Sequence, residues 1–245
     1  MNETTVTKMK QMNLYGMHNA FKTAIESRKT EHYSLDEFIS MLIDAEWDER
    51  HNRRIERSIK NAKFHYKSSI ESLHFDTSRN LERNQVLRLG ECEFVEKNEN
   101  ILITGSTGVG KSYLATALGY QACIEGLKVN YFNTTKLFAK LKIAKADGSY
   151  LRELAKIQRQ DVIILDDFGL QALDSSNRIT LLEIIEDRHN NGSIIVTSQI
   201  PVQGWYDIIG EKTIADAILD RLIHQAHRLE LHGESMRKKK TVSKS

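Results

Sequence analysis

Apolar residues along this chain repeat at two different spacings, and the change from one to the other falls near residue 76. Before that point they recur every three to four positions, as in Phe38 and Leu42 and then Ile55, Ile59, Ala62 and Tyr66, which is the pattern of one helix face. The stretch holds one glycine, Gly16, and no proline. Ser34 ahead of Leu35, with Glu37 three residues on, reads as a capping box that opens a helix. Residues 1–76 are therefore predicted to be a small all-α N-terminal domain, closed by a connection at Phe75-Asp76-Thr77-Ser78.

From about residue 80 short apolar runs rich in β-branched residues take over. They are Ile101-Leu102-Ile103-Thr104, Val129-Asn130-Tyr131-Phe132, Val162-Ile163-Ile164-Leu165 and Ser193-Ile194-Ile195-Val196-Thr197-Ser198. A weaker, alternating fifth run is His227-Arg228-Leu229-Glu230-Leu231. Helix-length segments separate most of them, which predicts βαβ units around a parallel five-stranded sheet over residues 77–236. Residues 237–245 form a Lys-rich basic tail.

Composition narrows the class. The chain has 245 residues, 40% hydrophobic and 28% charged, as expected of a globular protein. Its apolar runs are strand-length, which predicts no membrane span. The first residues, Met-Asn-Glu-Thr-Thr, lack the blocks of a signal peptide. Cys92 and Cys123 stand far apart with no C-x-x-C, so neither a disulfide framework nor a zinc site is indicated. Together these predict a cytoplasmic protein.

One motif carries specific chemistry. Directly after the first strand comes Gly105-Ser106-Thr107-Gly108-Val109-Gly110-Lys111-Ser112, which matches G-x-x-x-x-G-K-[ST]. Glycines let such a loop curl so that successive N–H groups point at phosphate oxygens, and the following helix adds the positive end of its dipole. Lys111 would neutralise the β- and γ-phosphates of ATP, and the Ser112 hydroxyl would ligate Mg²⁺. Further on, Val162 to Leu165 ends in Asp166-Asp167, an apolar strand followed by two acids. Here Asp166 would hold the Mg²⁺ shell and Asp167 would polarise the attacking water. Asp167-Phe168-Gly169 also matches the kinase D-F-G, but no H-R-D loop or V-A-I-K strand accompanies it.

With both motifs in place, the chain resembles the IstB-like helper ATPases of insertion-sequence transposition, within the AAA+ initiator and loader clade that also holds the DnaC helicase loaders. The resemblance runs through Met12-Asn13-Leu14-Tyr15-Gly16-Met17, Glu46-Trp47, Asn52-Arg53-Arg54, Gln85-Val86-Leu87, Asn100 to Gly105, Leu165-Asp166-Asp167-Phe168-Gly169, Asp220-Arg221-Leu222 and Gly233-Glu234-Ser235-Met236-Arg237. It implies a P-loop AAA+ fold and an oligomer with shared ATP sites. Tyr113 joins the loop residues as a nucleotide contact. Gln199 falls at the sensor 1 position, although it also suits a strand-end turn before Pro201. Arg221 falls at the arginine-finger position, although it also suits a surface pair with Asp216 or Asp220. Arg237 matches the place of a sensor 2 arginine, or belongs to the basic tail. The second acid is Asp where many AAA+ proteins carry Glu, which implies slow turnover without a partner.

The net charge of +2 is unevenly spread. Residues 50–67 hold seven Lys/Arg against one acid, residues 136–159 hold seven against two, and residues 221–245 hold seven against two. Such segregation predicts a polyanion-binding surface. The candidates for double-stranded DNA are Lys136, Lys140, Lys142 and Lys145, in the long stretch between the second and third strands, with Arg53 and Arg57 on the 50–67 helix. Two functions then compete. One is an ATP-dependent DNA-binding helper of a transposase of the IstA type; the other is a loader of a replicative helicase.

Overall fold

The structure, a computed structural model, describes residues 2–27 and 33–236. The chain divides into two compact units, Met1–Arg57 and Ser58–Ser245. The boundary expected at 76/77 therefore lies inside the second unit. Its physical reason is packing: Ala62, Ile70 and Leu73 are buried in the same core as the central sheet, with Ile59 and Phe64 against it. Ser58 Oγ donates to the Leu127 carbonyl at 2.8 Å, and Ser68 Oγ donates to the Tyr113 carbonyl at 2.9 Å. Helical periodicity continued through residues 58–66 and hid this change of allegiance.

In the first unit α1 (Asn2–Gln11), α2 (Tyr15–Glu26) and the start of α3 (Leu35–Ala62) form a helical cluster. The capping box is present: Ser34 N donates to Glu37 Oε2 at 2.8 Å, and Glu37 N donates to Ser34 Oγ at 3.3 Å. Gly16, in the first turn of α2, faces the α3 backbone, where a Cβ would collide with the Ala45 carbonyl and the Glu46 Cα. Glu46 then caps α2 from α3. Its carboxylate accepts from Gly16 N at 2.9 Å and Met17 N at 3.2 Å, while Arg50 Nε donates to it at 2.7 Å. Burial alone would raise the Glu46 pKa, but the Arg50 bond and the two backbone N–H groups outweigh it and lower the value.

The second unit begins with the end of α3, followed by α4 (Arg83–Gly90) and α5 (Glu93–Glu96). Then come β1 (Asn100–Gly105), α6 (Lys111–Ile124), β2 (Val129–Asn133), α7 (Thr134–Ala146), α8 (Tyr150–Gln158), β3 (Val162–Phe168) and α9 (Ser175–Arg188). It closes with β4 (Ser193–Ser198), α10 (Trp205–Ile209), α11 (Lys212–Ile223) and β5 (Ala226–Leu231). The five strands pair in parallel, as the crossover pattern predicted, and their order is β2-β3-β4-β1-β5. Helices cover both faces, so adjacent strand residues enter opposite cores. Ile101 and Ile103 of β1 join one core with α6, whereas Leu102 joins the other with α7, α9 and α11. The parallel arrangement brings the C-terminal ends of β1, β3 and β4, and so every candidate nucleotide residue on them, to one edge of the sheet. Among the described residues no helix is long and apolar enough to cross a membrane.

Gly16→Ala is expected to cost the first unit about 1–3 kcal/mol by overpacking against α3. Limited proteolysis should then show earlier cleavage within residues 1–57, while fluorescent-ATP binding by the full chain stays within about twofold of wild type.

Candidate active site

The loop between β1 and α6 is shaped by chain on its outer side as well as by its own glycines. Gly108 and Gly110 adopt φ of +83° and +101°, which L side chains rarely reach. A Cβ on Gly108 would meet the Ser235 side chain, and one on Gly110 would meet the Arg79 guanidinium. Arg79 donates to the Val109 carbonyl and, at 2.8 Å, to the His74 carbonyl, and Met236 N donates to the Gly108 carbonyl at 2.9 Å. The segments 74–80 and 232–236 thus brace the loop from outside. Arg237 lies outside the described residues.

Lys111, the first residue of α6, is buried with its ammonium inside the loop, donating to the carbonyls of Gly105 at 2.8 Å and Ser106 at 2.9 Å. Burial lowers its pKa, opposed by the nearby Asp167 and Asp166 carboxylates. A buried cation facing two acids, beside the N-terminal turn of α6 that carries Ser112 and Tyr113, fits a triphosphate with a divalent cation.

The two acids are brought together by an irregularity that periodicity does not show. Leu165 pairs with Val196 and Phe168 with Ser198, so β3 advances three residues while β4 advances two. Asp167 is the extra residue of this bulge, at φ +59°. On a regular strand, Asp166 and Asp167 would point to opposite faces; here both line the same cleft.

Asp166 is buried, and its two carboxylate oxygens accept from different strands. Thr197 Oγ1, on β4, donates to Oδ1 at 2.5 Å, and the Tyr131 hydroxyl, on β2, donates to Oδ2. Burial and this bond push the Tyr131 pKa upward, so the phenol stays a donor. Thr197 Oγ1 also accepts from Asp167 N at 3.1 Å. Asn133, at the end of β2, donates to Asp167 Oδ2 at 3.2 Å and accepts from Lys136 N at 3.2 Å, capping α7. Sequence reasoning missed Tyr131, Asn133 and Thr197. Their signal was the polar residue inside or ending an otherwise apolar strand.

Gln199, just past β4, accepts from the Thr107 hydroxyl at 2.6 Å, which places it against the loop. Arg221 is placed very differently. Its carbonyl accepts from Asn100 Nδ2 at 3.2 Å, at the start of β1, whereas the loop follows the other end of that strand. Arg221 donates to the Ala217 carbonyl at 2.8 Å and pairs with Glu186 at 3.4 Å rather than with Asp216 or Asp220.

The lysines expected to act as one cluster point in three directions. Lys136 and Lys140 line the cleft beside β2. Lys142 borders a separate groove with Gly169 and Leu170, and Lys145 donates to Thr180 Oγ1 at 2.9 Å and lies 4.6 Å from the Tyr150 ring centroid. Lys140 and Lys156 both pair with the buried Glu153, bridging α7 and α8. In the first unit Arg53 pairs with Glu49 at 2.7 Å and stacks over Tyr15 at 4.3 Å, while Arg57 is exposed.

A parallel sheet with these helices, a glycine loop holding a buried lysine after β1, and two acids on β3 with β4 between those strands define a P-loop ATPase of the AAA+ type. The family model described as IstB-like ATP binding protein matches residues 7–244, and the chain belongs to that family. It is 40% identical to the putative insertion sequence ATP-binding protein y4pL of Sinorhizobium fredii, over 96% of each chain. It is 39% identical to the putative ATP-binding protein of the insertion sequence IS1162 of Pseudomonas fluorescens, over 82% of this chain and 87% of that one. Among solved structures, the crystal structure of DnaI shares the fold with a TM-score of 0.59 at 24% identity, covering 68% of this chain and 92% of the other.

Thr197→Val removes the bond to Asp166 and the acceptor for Asp167 N at nearly constant volume. ATP turnover should fall by about 10- to 100-fold while ATP affinity changes by less than about threefold, as read from steady-state kinetics and nucleotide titration.

Glu153 gives a pH-dependent test. The bonds from Lys140 and then Lys156 hold its pKa at about 2, below the ordinary 4.5. A depressed carboxylate pKa contributes stability above the unfolded value and loses it as pH falls toward the folded one. Glu153→Gln should therefore cost about 1–2 kcal/mol at pH 7. In thermal melts, its deficit relative to wild type should close between about pH 4.5 and 2.

Proposed function

We propose that this protein is the ATP-dependent DNA-binding helper of a transposase, working in the cytoplasm. It assembles as an oligomer on double-stranded DNA, each ATP site is completed by a neighbouring subunit, and hydrolysis resets the assembly. Membership of a family whose relatives are insertion-sequence ATP-binding proteins supports the transposase rather than the helicase as client.

The observation that carries the shared site is the position of Arg221. It sits beside the first residue of β1, while the loop begins at the last, and a six-residue strand spans about 20 Å. An arginine there is out of reach of its own γ-phosphate. It is partly exposed and held by one carbonyl and one glutamate, ready to exchange Glu186 for a neighbour's phosphate.

Within the site the loop N–H groups and the α6 N-terminus bind the phosphates, and Lys111 trades the Gly105 and Ser106 carbonyls for phosphate oxygens. Ser112 and Asp166 are the residues that would hold Mg²⁺, whose charge would offset that of the phosphates. Thr197 and Tyr131 fix the rotamer of Asp166. Asp167 orients and polarises the water, and Gln199 stands at the γ-phosphate side with Thr107. The neighbour's Arg221 supplies the cation that the transition state requires.

Arg221→Ala should retain ATP binding per subunit and lose both hydrolysis and the large ATP-dependent complex on DNA. Light scattering with ATP and duplex DNA at two salt concentrations reads the second effect. A wild-type protein that stays monomeric on DNA with ATP would sink the shared site and leave Arg221 as the surface partner of Glu186.

A further inference from the structure

A cleft of about 660 Å³ opens beside the edge strand β2 in the second unit. Lys63, Lys136, Lys140 and Lys156 line it, from the end of α3, from α7 and from α8, with Tyr131 and Asp166 in its wall. Lysines distant in sequence therefore converge on one opening. Lys63 directly follows α3 at φ +57°, the left-handed turn with which helices commonly end, and this turns the chain at the cleft. Glu153 pairs with Lys140 and Lys156 together, offsetting one charge and holding both ammonium groups in place.

The chemistry of the cleft selects its occupant. Lysine is a hydrated point charge suited to phosphate and blind to base identity. A protein partner would need apolar anchors sunk in pockets. The aliphatic side chains of the lining, Leu137, Leu141 and Ile157, are instead buried in the core at 3%, 1% and 4% exposure, and Phe132 is partly buried against the same core. The Asp166 and Asp167 carboxylates of the same cleft leave an anion only the lysine side.

We propose that this cleft is a site for the phosphate backbone of DNA, separate from the phosphate loop and assembled from three elements. The proposal rests on the DNA-binding reading above and deepens it: Lys63 and Lys156 join the contact set, while Lys142 and Lys145 leave it. Several subunits on one duplex would each present the same few lysines, so weak contacts sum to firm binding through effective concentration.

The test uses the full chain with ATP and a fluorescent duplex of mixed sequence, with anisotropy measured at two salt concentrations. Lys63→Glu combined with Lys136→Glu touches neither partner of Glu153 and should leave fluorescent-ATP affinity and melting temperature near wild type. DNA affinity should fall at least about tenfold, and the salt slope should become shallower by about two. Lys142→Glu with Lys145→Glu should stay within about threefold of wild type. Equal losses in the two variants, or the reverse order, would overturn the cleft while leaving DNA binding intact. A wild type that binds no duplex with ATP would overturn both readings. Poly-glutamate binding that depended on Lys63 and Lys136 would then replace DNA with an acidic protein segment.

Discussion

The site depends on how one buried carboxylate is held. Asp166 lies inside the sheet edge with a donor from each side, Thr197 on β4 and Tyr131 on β2. A buried charge without such partners would take up a proton or destabilise the fold. The two hydroxyls hold the carboxylate from both sides, with the buried Lys111 ammonium near enough to feel its charge. The three strands β2, β3 and β4 must therefore keep their register for Asp166 to keep both donors. Thr197 carries the larger share, since its oxygen also accepts from Asp167 N and ties the bulge to β4. Moving Thr197 by one residue would exchange it for Val196 or Ser198 and send its hydroxyl to the opposite face.

Much of this architecture was legible in the chain. Each of the five strands was marked by its apolar run, and the observed strands extend those runs by a few residues at most; β3 gains Asp166, Asp167 and Phe168. The phosphate loop was legible because its glycines and lysine obey local rules. The bulge was not, because it is a relation between two strands: only pairing β3 against β4 shows that Asp167 is an extra residue. For the same reason Tyr131, Asn133 and Thr197 passed as ordinary strand polarity. The unit boundary was hidden because α3 continues without a break while its packing partners change.

Charge was the least reliable guide to geometry. A count of basic residues cannot tell a free ammonium from one already paired. Arg50 and Arg53 bond the glutamates four residues earlier on α3, and Lys145 is held by Thr180 and Tyr150. Exposed pairs of this kind contribute little to stability, but they set where a side chain points. What remains for a polyanion is decided by tertiary neighbours, and Lys63 and Lys156 meet the α7 lysines only because the end of α3 and α8 flank the same edge strand.

That edge strand joins the two halves of the chemistry. β2 has a neighbour on one side only, so its outer edge is open to solvent and to the cleft. Its alternate residues Tyr131 and Asn133 reach the two acids, one each. Asn133 also caps α7, the helix that carries Lys136 and Lys140. Any force that tilts α7 therefore acts at its N-terminus on the residue holding Asp167, through a cap worth about 1 kcal/mol. An energy of that size is small beside the stability of a domain and comparable with a tenfold change in rate. Deep burial and donors from two strands fix Asp166, whereas Asp167 is only partly buried on its bulge and is the acid that α7 reaches through the Asn133 cap.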